Sequence, residues 1–282
     1  MNEILNAGFG VVKIGGAMGN NPSKLLEELA FRVKRGERWV LVHGASGPME
    51  VMCRSCGIEP LYVTSPSGYR SRFVGERELA LFEAACCHYS VDLAWKLGKY
   101  GIGVLPIYPS QAVTAKATRK DSLRSVENGR IRILRGNCSG TVCGFEPAPL
   151  HDAWERGLLP MLPPLASDGD GNSLNVDGDR MAAAAAASIG ADTLIILSNV
   201  PGILRDVEDP QSRVENADFG MWNELESLAQ GNMKRKLLAA REALEGNVGR
   251  VILADSRKDA PITRALAGGG TTLCRAFTAA AV

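Results

Sequence analysis

Short apolar runs that end at glycine alternate with amphipathic stretches along most of the chain, and this alternation restricts the possible folds most strongly. The strand-like run "GVVKIGG" precedes the helical pattern "PSKLLEELAFRVKRG", and the run "RWVLVHGASG" precedes the helical pattern "EVMCRSCG". Such alternation is typical of βαβ units, which build a mainly parallel sheet with helices on both faces. The sequence therefore predicts a three-layer αβα sandwich around an open sheet of about eight strands.

The same pattern continues to the end of the chain, with one interruption. Predicted helices cover "RELALFEAACCHYSVDLAWKLGKYG", residues 147–156, the alanine-rich stretch after Asp177, residues 232–245 and "APITRALAG". The further predicted strands are "GVLPI", "LLPMLPPL", "TLIILSNV", "RVILAD" and "GTTLCRA". Residues 113–142 instead predict a β-hairpin, because Asn128-Gly129 favours a type I′ turn. We expect a single α/β domain over residues 1–282 from which this hairpin projects.

The overall charge is nearly balanced, since 32 Lys and Arg face 31 Asp and Glu, for a formal net charge of +1. Such a balance predicts no nucleic-acid partner and no membrane surface, so a charged partner would meet a local patch. No apolar run reaches the roughly 18–20 residues that cross a bilayer. The stretch "MNEILNAGFG" lacks the basic and apolar regions of a signal peptide, and we expect a cytoplasmic protein.

Seven cysteines and three histidines are scattered along the chain. Cys53 and Cys56 have the spacing of a metal or redox pair, but no second pair of this kind and no nearby histidine complete a site. We therefore expect reduced, structural thiols and no metal bound by protein side chains.

The first glycine turn is a candidate phosphate site. Lys13 precedes Gly15 and Gly16 at the end of a predicted strand, and paired glycines leave backbone N–H groups open to phosphate oxygens. The segment matches neither the Walker A pattern nor GxGxxG, which excludes a P-loop or Rossmann assignment. A tight strand-to-helix turn without a ligand is the alternative.

Two helix starts carry charges that capping alone does not require. Asp177 and Asp179 stand ahead of six consecutive alanines, where they either cap the helix or hold a cation. The segment "NMKRK" places three cations in the first turn of another predicted helix, each opposing the helix dipole by about 0.3–1 kcal/mol. They form either a solvated face or a site for a polyphosphate. If Lys13 and Lys236 meet, an aspartate between them would hold both ammonium groups.

The chain resembles the amino-acid kinase family, and within it the acetylglutamate-kinase branch, over nearly its whole length. The segments that carry the resemblance, in the family's order, are "VVKIGG", "LVHGASG", "SRF", "SLNVDGDRMAAAAA", "LIILSNVPGIL", "AQGNMKRKLLAA" and "GGGTTL". The DGD and MKRK patterns are most similar to those of the [LysW]-aminoadipate kinases, which serve carrier-protein lysine and arginine biosynthesis.

The resemblance implies ATP and Mg²⁺ as cofactors, with Mg²⁺ bridging the nucleotide's phosphates. The implied reaction phosphorylates the side-chain carboxylate of an N-blocked acidic amino acid, aminoadipate or glutamate, to an acyl phosphate. Two alternatives stay open: an acetylglutamate kinase that acts on free N-acetylglutamate, and a non-catalytic protein that binds a nucleotide or a carrier. The resemblance also implies an acceptor-binding half, residues 1–167, and a nucleotide-binding half, residues 168–282.

The resemblance also implies roles for individual residues. Lys13 and Lys236 would stabilise the transferred phosphoryl group, Asp179 would organise the two lysines, and Gly15 and Gly16 would donate N–H groups. The implied acceptor site comprises Gly44, Ala45, Ser46, Arg72, Asn175 and Asp177. In that set Arg72 would bind the α-carboxylate through its planar fork, and Asn175 would hold the acceptor's backbone. The implied nucleotide site comprises Ser198, Asn199, Gly202, Ile203 and Met233.

Two positions depart from the family pattern. Ala45 stands where the family commonly has glycine, and "RFV" replaces the more usual R-x-T. If position 45 required a positive φ, alanine would cost about 1 kcal/mol and would disturb the backbone contact there.

The hairpin region is strongly basic. Between residues 116 and 135, seven basic residues outnumber two acidic ones, for a local net charge of +5. The basic residues are Lys116, Arg119, Lys120, Arg124, Arg130, Arg132 and Arg135. They are either a solvated surface or the docking site of an acidic, LysW-type carrier protein, which the resemblance favours. A homodimer is a further expectation from the resemblance.

Overall fold

A computed structural model describes residues 8–17, 21–66, 68, 70–109, 114–127 and 130–276. The strands are β1 Phe9–Ile14, β2 Arg38–His43, β3 Tyr62–Thr64, β4 Arg70–Arg72, β5 Val104–Pro106, β6 Ala115–Arg119, β7 Ser122–Glu127, β8 Arg130–Arg135, β9 Gly140–Phe145, β10 Leu159–Leu162, β11 Leu165–Ser167, β12 Ser173–Asn175, β13 Thr193–Ser198, β14 Asn216–Ala217, β15 Arg250–Asp255 and β16 Gly270–Leu273. The helices are α1 Ser23–Lys34, α2 Ser46–Ser55, α3 Glu76–Gly98, α4 Ala148–Glu155, α5 Gly178–Ser188, α6 Trp222–Leu228, α7 Asn232–Glu245 and α8 Pro261–Leu266.

The central sheet has eight strands in the order β14-β16-β15-β13-β1-β2-β10-β5. All neighbouring pairs are parallel except β15 and β16, which run antiparallel. In the middle of the sheet, Lys13 of β1 lies level with Ile196 of β13 and Val42 of β2. The predicted sheet of about eight mainly parallel strands is confirmed.

Helices cover both faces of this sheet, because successive residues of each buried strand point to opposite sides. On one face, α1, α3 and α8 bury residues such as Leu25, Leu93 and Ile262 against the sheet. On the other face, α5 and α7 pack together through alanines. A β-carbon on Gly246 would lie 2.6 Å from the β-carbon of Ala187, which shows how closely the two helices approach. The predicted three-layer sandwich is therefore confirmed.

The predicted hairpin region contains two nested antiparallel pairs. The inner pair, β7 and β8, runs from Ser122 opposite Arg135 to Glu127 opposite Arg130. The outer pair, β6 and β9, belongs to a second sheet of four strands in the order β12-β11-β6-β9. Residue 113 and the predicted turn at Asn128-Gly129 lie outside the described residues.

The segment "LLPMLPPL" forms two strands and not the single strand that its apolar run predicts. Strand β10 ends at Leu162 in the central sheet, and β11 begins at Leu165 in the second sheet. Pro163 and Pro164 lack the N–H groups that a continuous ladder needs, so the chain changes sheets at this point.

A third apolar cluster joins the second sheet to α2 and α3. It includes Ala45, Cys53, Val74, Cys86 and Cys138. None of the seven cysteines forms a disulfide. Among the described residues, no helix combines the length and apolar character that a membrane crossing requires.

Candidate active site

The predicted residues Lys13 and Ser198 lie at the edge of the central sheet where its parallel strands end, beside His43. Lys13 is the next-to-last residue of β1, His43 is the last residue of β2, and Ser198 is the last residue of β13. In the central sheet, β1 lies between β2 and β13, so the order of the strands changes direction at β1. Such a switch point opens a crevice beyond the strand ends, where α/β proteins bind ligands.

Three charged side chains meet in this crevice. Lys13 Nζ lies 2.6 Å from Asp179 Oδ1, and Lys236 Nζ donates a hydrogen bond of 2.9 Å to Asp179 Oδ2. All three side chains are at most 11% exposed. Each oxygen of one carboxylate thus binds a different ammonium group, and the two lysines come from positions more than two hundred residues apart.

Local structure explains why Asp179 and not Asp177 holds the lysines. Asp177 is the N-cap of α5, and its Oδ1 accepts hydrogen bonds from the backbone N–H groups of Asp179 and Arg180. Asp179 is the second residue of the helix, so its side chain is free of that capping role and reaches Lys13. Of the two roles that the sequence allowed, capping and cation binding, the structure gives one to each aspartate.

Charge and burial compete at these three residues. Burial alone would raise the pKa of the Asp179 carboxyl, but Lys13 and Lys236 outweigh it and hold that pKa well below its usual range. Burial, and then the charge of Lys13, lower the pKa of Lys236, although Asp179 opposes both effects. Two cations and one anion leave a net positive charge, which suits an anionic ligand.

Two glycine loops contact each other beside the lysines. A β-carbon on Gly16 would collide with the backbone of Gly44, and a β-carbon on Gly44 would lie 2.6 Å from Gly16 N. Gly47 N donates a hydrogen bond of 2.6 Å to Gly16 O, which fixes the start of α2 on the first loop. The loops need these two glycines because no side chain fits between them.

Ala45 does not carry the cost that its departure from the family pattern suggested. Its φ is −135°, outside the left-handed region that favours glycine. It is the N-cap of α2, it is buried, and it packs in the third apolar cluster. Ser46, the first residue of α2, is exposed.

Two buried nitrogens of Arg72 have no hydrogen-bond partner in the described part of the chain. Among the described residues, no group accepts a hydrogen bond from its Nε or its Nη2. The guanidinium lies 5.8 Å from the centre of the Tyr62 ring. Leaving charged donors buried and unpaired is costly, so an anion is expected to complete this group.

Asn175, the last residue of β12, is fixed by the neighbouring strand region. Its backbone N–H donates to Cys138 O at 3.0 Å, and its Nδ2 donates to Ser139 Oγ at 3.3 Å. It stands two residues before the N-cap Asp177, so the chain leads directly from Asn175 to the lysine-binding carboxylate.

Of the predicted nucleotide residues, Ser198 ends β13, and Gly202 and Ile203 lie against Thr271 of β16. Ser198 O accepts a hydrogen bond of 2.7 Å from Ser256 N, which joins the loops that follow β13 and β15. Gly202 has a φ of +147°, and a β-carbon there would also collide with Thr271 Oγ1. Thr271 Oγ1 accepts from Ile203 N at 2.9 Å. Asn199 is exposed and Met233, in the first turn of α7, is half-buried.

The predicted basic set does not form one uniform surface. In the β7–β8 hairpin, alternation places Arg124 and Arg135 on one face and Arg130 and Arg132 on the other. The face of Arg124 also presents Ile131 and Ile133, which are 60% and 55% exposed. Lys116 is exposed on β6.

Two members of the basic set lie closer to the crevice. Arg119 Nε donates to Asn137 O at 3.0 Å. Burial, and then the positive charge of Arg180, lower the pKa of Lys120, with Asp177 opposing. The ammonium group of Lys120 is therefore within electrostatic reach of the start of α5.

Several polar residues of the crevice were not predicted from the sequence. His43 is fully buried, with Nδ1 3.2 Å from Gly44 O and Nε2 2.8 Å from Ser90 Oγ. Burial lowers the pKa of His43 to about 4, so its imidazole is neutral near pH 7. Arg235 donates to Arg70 O and Ser71 Oγ, which ties α7 to β4. The position of His43 at a strand end was the available signal for its nearness to the site.

The described residues contain no group of three or more His, Cys, Asp or Glu side chains that could bind a metal ion.

Residues 9–255 match the model of the amino acid kinase family. A curated relative from Deinococcus radiodurans, "[LysW]-aminoadipate kinase", is 40% identical over 93% of this chain and 90% of its own length. A relative of the same name from Thermus thermophilus is 37% identical over 93% of this chain and 99% of its own. Among solved structures, N-acetylglutamate synthase from Neisseria gonorrhoeae superposes with a TM-score of 0.78 at 22% identity, over 96% of this chain and 60% of that one.

Proposed function

The chain belongs to the amino acid kinase family and is a phosphotransferase, and from this premise we propose that it phosphorylates the side-chain carboxylate of a carrier-bound acidic amino acid. The acceptor that the relatives' names support is aminoadipate linked to a LysW-type carrier protein. The observation that carries the proposal is the contact of Lys13 and Lys236 with the two oxygens of Asp179.

The reaction needs no general base. A side-chain carboxylic acid with a pKa near 4.3 is already an anion at pH 7. One of its oxygens attacks the γ-phosphorus of ATP, the bond from that phosphorus to the β-phosphate oxygen breaks, and ADP leaves with the electron pair. The products are an acyl phosphate and ADP, and no proton is transferred. The barrier is the approach of an anion to a polyanion.

The lysines lower that barrier through their charge. Lys13 and Lys236 stabilise the negative charge on the phosphoryl group as it is transferred, and Asp179 keeps both ammonium groups in place. The N–H groups of Gly15 and Gly16 contact the same phosphoryl oxygens. Because the three side chains are buried, their interactions with the phosphoryl group are screened less than they would be in water.

The acceptor binds on the side of β4 and β12. The unpaired Nε and Nη2 of Arg72 bind its α-carboxylate, and Asn175 holds its backbone. Gly44, Ala45, Ser46 and Asp177 complete this side of the crevice. The acceptor therefore binds mainly to residues 1–167, in the acceptor-binding half.

The nucleotide binds to residues 168–282, beyond the end of β13. Its binding residues are Ser198, Asn199, Gly202, Ile203 and Met233. Mg²⁺ would bind together with the nucleotide and would reduce the negative charge of its phosphates. We expect the reaction to take place in the cytoplasm, where ATP is available.

The basic hairpin docks the carrier. Arg124 and Arg135 border the exposed Ile131 and Ile133, a mixture that suits an acidic protein with an apolar contact. A free acetylated amino acid does not need such a surface. This surface favours the carrier-bound acceptor over N-acetylglutamate, the alternative within the same family.

We also propose a homodimer. Helix α3 presents Val91 and Trp95 at 67% and 70% exposure, an apolar stripe that a second copy would cover. Sedimentation of the Trp95→Glu variant should show a monomer, and an unchanged dimer would exclude α3 as the contact.

Trapping of the acyl phosphate with hydroxylamine tests the proposed function. With ATP and Mg²⁺, the protein should form much more hydroxamate from carrier-linked aminoadipate than from N-acetylglutamate at equal concentration. A preference for N-acetylglutamate would identify an acetylglutamate kinase. Nucleotide binding without hydroxamate from carrier-linked aminoadipate, carrier-linked glutamate or N-acetylglutamate would identify a non-catalytic binding protein.

A further inference from the structure

Arg72 and Asn175, the two proposed acceptor contacts, stand on different small sheets. Arg72 ends β4, which pairs only with β3 in a two-stranded sheet among the described strands. Asn175 ends β12 at the edge of the four-stranded sheet. A rigid acceptor site requires a structural element that fixes the relative position of these two strands.

The segment of Asn137, Cys138 and Ser139 links them. On one side it binds Val74, two residues after Arg72. Asn137 Oδ1 accepts from Val74 N at 3.3 Å, and Cys138 N donates to Val74 O at 2.6 Å. Both backbone polar groups of Val74, which is fully buried, are therefore held by this segment.

On its other side the segment binds Asn175. Cys138 O accepts from Asn175 N at 3.0 Å, and Ser139 Oγ accepts from Asn175 Nδ2 at 3.3 Å. The Ser139 hydroxyl also donates to Asn137 Oδ1 at 3.3 Å. One hydrogen-bonded path thus runs from Val74, through the Asn137 amide and the Ser139 hydroxyl, to the side chain of Asn175.

The same segment holds the backbone of Lys120. Lys120 N donates to Ser139 O at 2.8 Å, and Asn137 Nδ2 donates to Lys120 O at 2.6 Å. Asn137 is fully buried, and both polar atoms of its side chain are bonded. A buried amide whose oxygen and nitrogen are both bonded is costly to disturb, which favours one fixed arrangement.

We propose that Asn137, Cys138 and Ser139 form a brace that sets the position of Asn175 relative to Arg72, and so governs acceptor binding without touching the acceptor. They are positioning residues. This inference rests on the proposed function, since it assigns the brace to the acceptor side of the site.

Substitutions at Ser139 test the brace, because the brace should affect KM for the acceptor and not kcat. Ser139→Ala removes the bond to the Asn175 side chain, and we expect KM for the acceptor to rise roughly threefold to tenfold, the effect of one hydrogen bond. KM for ATP and kcat should stay near the wild-type values, and Ser139→Thr, which keeps the hydroxyl, should restore the acceptor KM.

Thr193→Val is the matched control. Thr193 is buried, and its hydroxyl accepts from Arg250 Nε at 3.1 Å where β13 begins, at the opposite edge of the sheet. This variant should lose stability without any change in acceptor KM. An unchanged acceptor KM in Ser139→Ala, or an equal rise in Thr193→Val, would overturn the brace.

Amide hydrogen exchange tests the brace without any activity. Asn137→Ala removes the acceptor of Val74 N–H but leaves Cys138 O, the acceptor of Asn175 N–H, in place. If the segment is one brace, both amides exchange faster, whereas faster exchange at Val74 alone would refute it. Where Asn137→Ala does not fold, Ser139→Ala takes its place, with faster exchange at Asn175 as the expected result. If the wild-type protein phosphorylates no acceptor, the proposed function is wrong. The hydrogen-exchange experiment alone then shows whether the three residues act as a brace.

Discussion

At the scale of single residues, the site depends on how buried charges and polar groups are paired. Asp179 binds two lysines, one through each oxygen, while Asp177 caps the helix that carries it. The sequence identified both aspartates and left their roles open. The spacing of two aspartates along the chain does not show which of them caps the helix. The left-handed conformation considered for Ala45 is absent, since its φ is −135°.

Arg72 supplies the first test at this scale. Arg72→Ala removes the proposed fork for the α-carboxylate, and KM for the acceptor should rise roughly tenfold to a hundredfold, the effect of hydrogen bonds between charged groups. KM for ATP should not change. The control is Arg70→Ala, because Arg70 lies on the same strand but stacks on Tyr62 at 4.4 Å. Equal effects of the two substitutions would exclude a specific role for Arg72.

His43 supplies a test of pH dependence. Burial lowers its folded pKa to about 4 from an ordinary value of 6.5, so between these pH values the unfolded chain binds a proton that the folded chain does not. Stability contributed by neutral His43 is complete above pH 6.5 and falls as the pH drops toward 4, by up to about 3 kcal/mol.

The measurement is the free energy of unfolding by denaturant at pH 7, 6, 5 and 4. His43→Gln should remove most of the decline in this range, whereas the decline should persist in Ser55→Ala, which changes an exposed hydroxyl. Asp179 interferes little, because its pKa is lowered in the folded protein and most of its contribution to stability is lost below the ordinary aspartate pKa near 3.8. An unchanged decline in His43→Gln would contradict this role.

At the scale of helices and strands, periodic patterns in the sequence predicted most of the long elements. Contacts between distant segments could hardly be predicted. Helix α7 spans Asn232–Glu245, as the sequence predicted, because its apolar positions recur at helical spacing. Strands β3 and β4 were not predicted, since three-residue strands carry too few positions to show a period. The brace was not predicted either, because side-chain hydrogen bonds between distant segments leave no periodic signal.

The β7–β8 hairpin supplies the test at this scale. Reversal of charge at Arg124 and Arg135, which border Ile131 and Ile133, should raise KM for carrier-linked aminoadipate and leave turnover of a small N-acyl amino acid unchanged, because only the carrier contacts this face of the hairpin. The control reverses Lys34 and Arg35, exposed cations that precede β2 at the opposite edge of the sheet. An equal loss on both acceptors would argue against docking.

At the scale of the whole molecule, the order of strand–helix units predicted the three-layer fold. In the structure, the two glycine loops follow the ends of β1 and β2 at one edge of the central sheet. The same order brings Lys13 and Lys236 together, because β1 and the start of α7 both face the crevice at the strand ends. The order of strand–helix units did not predict the second sheet. The apolar run around Pro163 and Pro164 was predicted as one strand, but the two prolines divide it between two sheets. In the proposed function, the acceptor contact Asn175 lies on that second sheet.

The most direct measurement is the rate of acyl phosphate formation, trapped as hydroxamate, in Lys236→Ala beside Lys234→Ala. Both lysines belong to the first two turns of α7, but Lys236 is buried against Asp179 and Lys234 is exposed. Loss of a preorganised charge at the phosphoryl group should lower the rate of Lys236→Ala about a hundredfold or more, while Lys234→Ala stays within about twofold of the wild type. Similar rates in the two variants would contradict the role of the paired lysines.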